Sequence, residues 1–316
     1  MGADDGSRMS KPPPTKREWS LIEAADIFID APTDKDLAFL TRHLVQCTLP
    51  HKNPGNVPVW TRTNGNLTLG IVPGVDLKTR KSIGFPYGSV PRLLLYWMTA
   101  EAARTHSPRL ELGHSLASFM REIGLDPSRG GKRSDARRLR EQMERLFRAT
   151  ISFQQDVTDG DRAGRAWMDM QVAPKGELWW HPKQPEQAAL WGSWVELGQD
   201  FFRAITTSLI PLDTRALAKL KRSPLDLDLY AWCAYTAFRA HRTDKAAWVT
   251  WRKLAQALGA DYASTKEFGR KVRQSLRRVQ AVFPGLHHEA HRTGITIFPT
   301  STPPVSPNSI VGKSRD

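Results

Sequence analysis

The sequence is poor in cysteine and in long apolar runs. Cys47 and Cys233 are the only cysteines among 316 residues, and neither lies in a Cys-x-x-Cys motif or a Cys/His cluster. This excludes a disulfide framework and a cysteine-based zinc site, and it predicts two free thiols in a reducing compartment. The sequence contains no run of about 18 apolar residues, so we expect no membrane-spanning helix.

The N-terminus lacks the features of targeting and lipidation signals. Asp4 and Asp5 stand where a secretory signal carries basic residues, and no apolar segment follows them. Gly6 occupies the position where a myristoylation motif has Ser or Thr. We therefore expect a cytoplasmic protein that has no membrane partner.

Acidic residues are outnumbered by basic ones. The chain has 46 Lys and Arg against 32 Asp and Glu, a formal net charge of +14. Such an excess favours polyanionic partners through Coulomb attraction and counterion release. Charge alone does not distinguish DNA from RNA or from an acidic protein.

Motifs for nucleotide hydrolysis and strand cleavage are missing. A P-loop needs Gly-x-x-x-x-Gly-Lys-Ser/Thr, but Gly131-Lys132 is followed by Arg133, and Gly312-Lys313 has Pro307 at the first glycine position. Tyr96 and Tyr230, which we weighed as nicking nucleophiles, lie in apolar helical runs and are predicted to be core residues. We expect no catalytic residue and no cofactor.

A metal site is also not expected. His287-His288-Glu289 does not match the His-hydrophobic-His pair of nicking replication proteins. His287 and His291 could bracket a metal, but no Cys or carboxylate pair completes the usual ligand set. Phosphate contact or simple exposure explains these histidines better.

What the sequence does contain is one order of elements, present twice. Residues 1–20 and 300–316 are polar and predicted to be disordered. Between them, periodicity predicts the order helix, strand, helix, helix and hairpin in each half. The first half has predicted elements at 92–104, 109–112, 115–124, 134–150, 151–157 and 166–172. The second half has them at 225–240, 247–249, 250–258, 264–283, 286–290 and 295–298.

Nearly constant offsets support a duplication. The segment from Phe119 to Asp126 matches the segment beginning at Leu254 with a shift of 135, and Leu139 matches Val272 with a shift of 133. The element order is that of a helix-turn-helix with a β-hairpin wing. We predict an α+β, helix-rich fold of tandem duplicated winged-helix domains, with a first domain over residues 21–180 and a second over 181–299.

Residues 264–283 are predicted to be the DNA-recognition helix. An apolar stripe through Phe268 and Val272 lies opposite four cations, and the single acid, Glu267, completes a capping box with Ser264. A solvated basic helix face is the alternative. Since a recognition helix presents such side chains to the major groove, we favour DNA contact. The predicted contacts in this half are Lys266, Arg270, Lys271, Arg273, Arg277, Arg278, Arg252, Lys253 and Arg292.

The corresponding helix of the first half is a poorer candidate. Glu141 and Glu144 share the face that carries Arg137, Arg145 and Arg148, and they would repel phosphates. The preceding loop is basic and either contacts the DNA backbone or is merely solvated. We include Arg129, Lys132, Arg133 and Arg137 among the predicted DNA contacts. The first domain would then support binding or mediate dimerisation.

Eleven tryptophans raise the alternative of stacking on single strands. Trp97, Trp232 and Trp251 occupy apolar helix positions and are predicted to lie in the core. The group at residues 179, 180, 191 and 194 lies where the halves join. We favour an apolar seam there, with a peptide or base platform as the alternative.

Three segments resemble a known family. They are FPYGSVPRLLLYWMTAEA from Phe85, IPLDTRALAKLKRSPLDLDLYAW from Ile210, and TWRKL from Thr250 followed by the basic helix. Together they resemble the plasmid-encoded RepA replication initiators of Gram-negative bacteria, over residues 20–299. The resemblance implies binding to repeated iterons at a plasmid origin, local DNA opening, recruitment of host DnaA and the DnaB helicase, and a homodimer that represses its own gene. A stand-alone winged-helix repressor is the main alternative, and a rolling-circle nicking enzyme is a further one.

Overall fold

The computed structural model describes residues 32, 36–128, 134–159, 162–179, 192–258 and 262–305. The helices within these ranges are α1 (Arg42–Gln46), α2 (Ser89–Thr105), α3 (Leu116–Glu122), α4 (Asp135–Phe147), α5 (Gln199–Thr206), α6 (Thr214–Leu220), α7 (Pro224–Thr243), α8 (Trp251–Leu258) and α9 (Thr265–Val282). The fold is mixed α and β, as predicted.

The strands are short except for one long hairpin. They are β1 (Leu37–Thr41), β2 (Trp60–Asn64), β3 (Leu67–Val72), β4 (Val75–Asp76), β5 (Lys81–Ser82), β6 (Arg109–Glu111), β7 (Thr150–Asp159), β8 (Arg162–Gln171), β9 (Lys175–Glu177), β10 (Trp194–Glu196), β11 (Leu209–Asp213), β12 (Ala247–Thr250), β13 (His288–Ala290) and β14 (Gly294–Ile297).

The predicted element order occurs in both halves. The first half contains α2, β6, α3, α4, β7 and β8, and the second contains α7, β12, α8, α9, β13 and β14. Their bounds agree with the predicted ones to within a few residues. Gly124 ends the α3 region with φ +77, a backbone conformation that glycine adopts without steric cost.

The sheets of the two halves are assembled differently. In the second half β12 pairs with β14, which pairs with β13, so the three strands form one sheet. In the first half β7 and β8 extend a sheet with β3 and β2, whereas β6 pairs with β10. Since β10 lies at Trp194–Glu196, residues after the predicted boundary at 180/181 pack with strands of the first half.

Two long-range contacts join the halves. Strand β1 pairs antiparallel with β11 from Leu37↔Asp213 to Thr41↔Leu209. Helices α2 and α7 pack against each other, and their buried apolar residues belong to one cluster that spans both halves. Tyr96 and Tyr230 are buried in this cluster as predicted, with 3% and 0% exposure.

The described residues contain no helix with the length and apolarity needed to cross a membrane. Cys47 and Cys233 are both free and fully buried. Burial raises the pKa of the Cys47 thiol to about 11, despite the opposing effect of nearby Arg62. A thiol in that environment stays protonated and unreactive at neutral pH.

Candidate nucleic-acid interface

Helix α9 is amphipathic because its apolar residues recur at helical spacing. Phe268, Val272, Leu276 and Val279 are buried against the rest of the second half. Ser264 is the N-cap, and its side-chain oxygen accepts a hydrogen bond from the backbone N–H of Glu267 at 3.1 Å. The predicted core face and helix start are therefore confirmed.

The opposite face of α9 carries cations that point to solvent. Lys266, Arg270 and Arg277 are exposed, and none of them pairs with an acidic side chain within the described part of the chain. The acid nearest in sequence, Glu267, lies on the flank and is only half-exposed. These three side chains are free to meet a polyanion.

The fourth predicted cation of this face is engaged inside the protein. Arg273 is half-buried, and its Nη2 donates to the backbone oxygens of His291 at 3.0 Å and Arg292 at 3.4 Å. Its guanidinium also lies 5.2 Å from the centre of the Trp251 ring, within cation–π range. Arg273 thus connects α9 to the turn between β13 and β14.

Trp251 also contacts the turn between β13 and β14, and we call the contacts of Arg273 and Trp251 with this turn the joint. It is 2% exposed, as its predicted core position requires, and its indole Nε1 donates to the Arg292 oxygen at 3.1 Å. Its backbone N–H donates to the Thr293 oxygen at 2.9 Å. The first residue of α8 is therefore bound to the β13–β14 turn.

Two glycines allow the close approach of these elements. A Cβ on Gly269 of α9 would lie 3.0 Å from Cδ1 of Trp251. A Cβ on Gly294 would lie 2.3 Å from the Val249 backbone oxygen, a distance that no side chain could occupy. The backbone of α9 at Gly269 therefore lies directly against the Trp251 side chain, and the hairpin backbone at Gly294 lies directly against the Val249 backbone.

The joint gathers cations from three elements. Arg252 and Lys253 follow Trp251 directly in the first turn of α8, and Arg292 lies in the hairpin turn. All three are exposed. With Lys266, Arg270 and Arg277 they form what we call the basic face of the second half.

An exposed tryptophan borders the basic face, and sequence reasoning did not select it. Trp248 on β12 is 48% exposed, and its ring meets that of His291 edge-on with centroids 5.2 Å apart. Its position, three residues before the first residue of α8, gives no periodic signal. Only the pairing of β12 with β14 brings it beside the hairpin turn.

Two predicted DNA contacts lie on the other flank of α9. Arg278 forms a bidentate ion pair with the fully buried Asp226, with both N–O distances at 2.7 Å, and Ser275 also hydrogen-bonds this carboxylate. Lys271 lines an adjacent polar groove with Arg278. Because Asp226 would otherwise be a buried unpaired charge, Arg278 serves the core, and we leave it out of the basic face.

Some basic residues on and just after α4 are paired with acids of that helix. Arg137 Nε lies 2.9 Å from Glu141 Oε1, and Arg148 lies 3.6 Å from Glu144. Arg145 instead lies over the Tyr87 ring at 5.4 Å. These contacts agree with the interpretation that α4 is the weaker candidate, although Arg137 itself is exposed.

Several predicted features lie outside the described residues. They include Arg129, Lys132 and Arg133 of the basic loop, and Trp180 and Trp191 of the tryptophan group. Of the remaining tryptophans in that group, Trp179 is 50% exposed, and Trp194 on β10 lies under the Arg109 guanidinium at 4.0 Å. Trp179 is thus open to solvent, whereas Trp194 is half-buried, and the predicted seam as a whole stays a prediction.

The histidines of the hairpin make local hydrogen bonds. His287 Nδ1 lies 2.9 Å from Thr300 Oγ1, and His291 Nε2 lies 3.2 Å from Thr296 Oγ1. Within the described part of the chain, no three His, Cys, Asp or Glu side chains come together as a metal site would require.

A buried ion network, which sequence reasoning missed, holds the two halves together. Arg92 of α2 donates to both carboxylate oxygens of Asp228 of α7 at 2.6 and 2.7 Å, and to the backbone oxygens of Leu49, Pro50 and Gly88. His51 Nε2 lies 2.7 Å from the same carboxylate. Arg92 and Asp228 are only 3% and 4% exposed.

The network fixes the charge state of its members. Burial alone would raise the pKa of Asp228, but Arg92 and the His51 hydrogen bond outweigh it and hold that pKa below its ordinary value. Burial lowers the pKa of His51, against the opposing effect of Asp228. A neutral His51 therefore donates from Nε2 to an ionised Asp228.

Comparison with solved structures gives the fold. The chain is similar to domains 2 and 3 of RctB in a selenomethionine-derivative crystal structure, with TM-score 0.50 and 11% identity, covering 84% of this chain and 98% of that one. A second structure, RctB domains 2–3 (residues 155–483), matches with TM-score 0.46 and 12% identity, covering 81% of this chain and 95% of that one. No curated protein matches the sequence.

The family comparison covers the segments from Phe85 and Ile210 that carry the resemblance and the first residues of the one from Thr250, but not the basic helix. The model described as plasmid encoded RepA protein matches residues 85–253, more than half of the chain. That range starts at the Phe85 motif, contains Arg92 and Asp228, and ends at Lys253 in the first turn of α8. The chain belongs to the family of plasmid-encoded RepA replication initiators.

Proposed function

We propose that this replication initiator binds duplex DNA through the basic face of the second half. The observation that carries the proposal is that α8, α9 and the β13–β14 turn, which meet at Trp251 and Arg273, each carry exposed cations that pair with no acid among the described residues. Helix α9 would enter the major groove, and Arg270 and Arg277 would read base edges or hold phosphates. Arg252, Lys253 and Arg292 would contact the flanking backbone.

The same proposal treats each half as a winged-helix domain. In the second half, α8 and α9 are the helix-turn-helix, and β13–β14 is the wing that packs beside the recognition helix. In the first half, α3 and α4 would be the corresponding pair and β7–β8 a longer wing. Because Arg137, Arg138 and Arg148 are paired with Glu141, Asp135 and Glu144, the first half would support binding or dimerisation rather than read sequence.

The proposed role in plasmid replication rests on membership of the RepA family. We infer that the DNA sites are iterons at a plasmid origin, that binding opens the adjacent DNA, and that host DnaA and DnaB are recruited there. A homodimer would repress the protein's own gene. Strand β8 is the outer strand of its sheet, with one edge unpaired in the described residues, and an unpaired edge can pair with a second copy.

We also propose that the protein has no catalytic activity of its own. The tyrosines weighed as nicking nucleophiles are inaccessible, since Tyr96 donates to the Leu227 oxygen and Tyr230 accepts from the Asp213 N–H inside the core. Incubation with supercoiled origin DNA and Mg²⁺ should leave no covalent tyrosyl adduct. Recovery of such an adduct would instead establish a nicking enzyme.

DNase footprinting on the DNA that flanks the gene tests the proposal, at physiological salt so that non-specific binding is weak. Several equal protected blocks at near-integral helical spacing support an initiator that binds iterons. A single palindromic block at the promoter supports a stand-alone repressor, and diffuse protection contradicts specific binding.

A matched pair of variants locates the interface. Arg270→Ala with Arg277→Ala should abolish the specific footprint, at about 1–3 kcal/mol for each lost contact. Arg203→Ala is the control, because Arg203 is 76% exposed on α5 and lies outside the basic face. Equal affinity of the double variant and the control would remove α9 from the reading role.

A further inference from the structure

Arg273 differs from the other arginines on its face of α9 because its guanidinium donates hydrogen bonds within the protein. One guanidinium nitrogen donates to two carbonyl oxygens of the wing turn, and the guanidinium also lies by the buried Trp251 ring. Arg270 and Arg277, on the same helix face, have no such partner among the described residues. The charge of Arg273 is therefore committed to the protein, while its neighbours remain free.

The turn that Arg273 holds would otherwise be weakly fixed. Strands β13 and β14 share three register pairs, from His288↔Ile297 to Ala290↔Ile295. The His291 N–H closes the turn onto the Gly294 oxygen at 2.9 Å. Among the described residues, the hydrogen bonds to the backbone oxygens of residues 292 and 293 come from Arg273 and Trp251, outside the hairpin.

We propose that Arg273 is a positioning residue that, with Trp251 and Gly269, clamps the wing turn to the recognition helix. This inference rests on the proposed function, since its consequence is that Arg292 is held where it contacts the same duplex as Arg270. Without the clamp, the turn moves independently of α9 and Arg292 loses its phosphate. Arg273 itself reads no base.

Gly269 permits a test that leaves the charge unchanged. It is buried, so it cannot contact DNA, and a methyl group there would lie 3.0 Å from Cδ1 and 3.2 Å from Nε1 of Trp251. Gly269→Ala therefore displaces the indole that the clamp depends on. The substitution also raises the helix propensity of α9 by about 1 kcal/mol, which offsets part of the packing cost.

Arg273→Lys provides the second charge-neutral variant. Lysine keeps the positive charge but lacks the planar guanidinium that lies along the Trp251 ring while donating to the turn. If Arg273 only contacted a phosphate, lysine would substitute for it. If Arg273 clamps the wing, lysine restores the charge and fails to restore the position of Arg292.

The experiment measures the salt dependence of binding to a duplex of about two helical turns that the wild-type protein has selected from a random pool. Each phosphate contact contributes about −0.9 to the slope of log K against log[salt]. We expect Arg292→Ala, Gly269→Ala and Arg273→Lys each to make the slope shallower by about one. Adding Arg292→Ala to either charge-neutral variant should change the slope no further.

Wild-type slopes for both Gly269→Ala and Arg273→Lys would overturn the proposal, as would fully additive effects with Arg292→Ala. Failure of the wild-type protein to select any duplex would contradict the proposed function instead. The clamp is then judged by hydrogen exchange at the Trp251 indole N–H, assigned with Trp251→Phe. Exchange must be faster in Arg273→Lys than in the wild type, and equal rates would refute the clamp.

Discussion

Removal of Arg92 should destabilise the whole protein rather than one half. Arg92→Met deletes both hydrogen bonds to Asp228 and leaves the carbonyls of Leu49, Pro50 and Gly88 without that donor. Asp228, at 4% exposure, would keep only His51 as a partner. Breaking a buried ion pair in this way costs about 3–5 kcal/mol, a large part of a total stability of about 5–15 kcal/mol.

Urea denaturation followed by far-UV circular dichroism measures this cost. The matched variant is Arg92→Met with Asp228→Leu, which removes both charges and replaces them with apolar groups of similar size. We expect the double variant to be more stable than Arg92→Met alone, because no buried charge is left unpaired. If Arg92→Met unfolds within about 1 kcal/mol of the wild type, the ion pair does not hold the halves together.

Three further predictions follow from the described contacts. DNA binding should weaken about a thousandfold between roughly 50 and 200 mM salt, because six exposed cations give a slope of about −5; a slope near zero would refute phosphate contact by the basic face. Stability should fall as pH drops below 6.5, the ordinary pKa of His51, because the unfolded chain then binds a proton that the folded chain does not; His51→Gln should show a weaker pH dependence, and the remainder comes from His43, whose pKa burial also lowers. Trp251→Ala should lower the free energy of unfolding by about 3–5 kcal/mol, since the indole is 2% exposed; an unchanged melting curve would contradict its place in the core.

The helices of both halves could be predicted because their signals are local. An apolar residue every three or four positions, Ser264 at one helix start and Gly124 at one helix end are all visible within a short window. The strands of both hairpins follow from alternation and from the turn residues between them. Local pattern therefore predicts the type and approximate bounds of the elements from residue 89 to residue 171 and from residue 224 to residue 297.

The elements before residue 89 and between residues 175 and 220 were not predicted. Strand β1 is stabilised by pairing with β11, which lies about 170 residues later in the chain. No short window of sequence contains both strands, so a local pattern cannot predict the pair. Strand β10 likewise pairs with a strand distant in sequence, β6. The β6–β10 pairing brings residues that follow the predicted boundary at 180/181 against a strand of the first half.

In the candidate site, too, the sequence pattern does not predict contacts between side chains and residues distant in the chain. Periodicity places Arg270, Arg273 and Arg277 on one face of α9, and that much is correct. It does not show that the wing turn folds back over Arg273, because that contact depends on residues 291 and 292. Two aspartates in the apolar run LDLDLY were a signal that we did not use, since a buried carboxylate requires a cationic partner.

The Arg92–Asp228 ion pair indicates the structural role of the segment that matches the RepA family. Arg92 and Asp228 both lie within residues 85–253 and join α2 to α7, whereas Lys266, Arg270, Arg277 and Arg292 lie beyond the matched range. The matched segment is thus mainly the frame that holds the halves together, and it includes Arg252 and Lys253 of the basic face but not its other four cations. Variants of the frame should therefore lower stability and DNA binding together. Variants of Arg270 and Arg277, which no described acid pairs, should lower DNA binding while the denaturation midpoint stays unchanged.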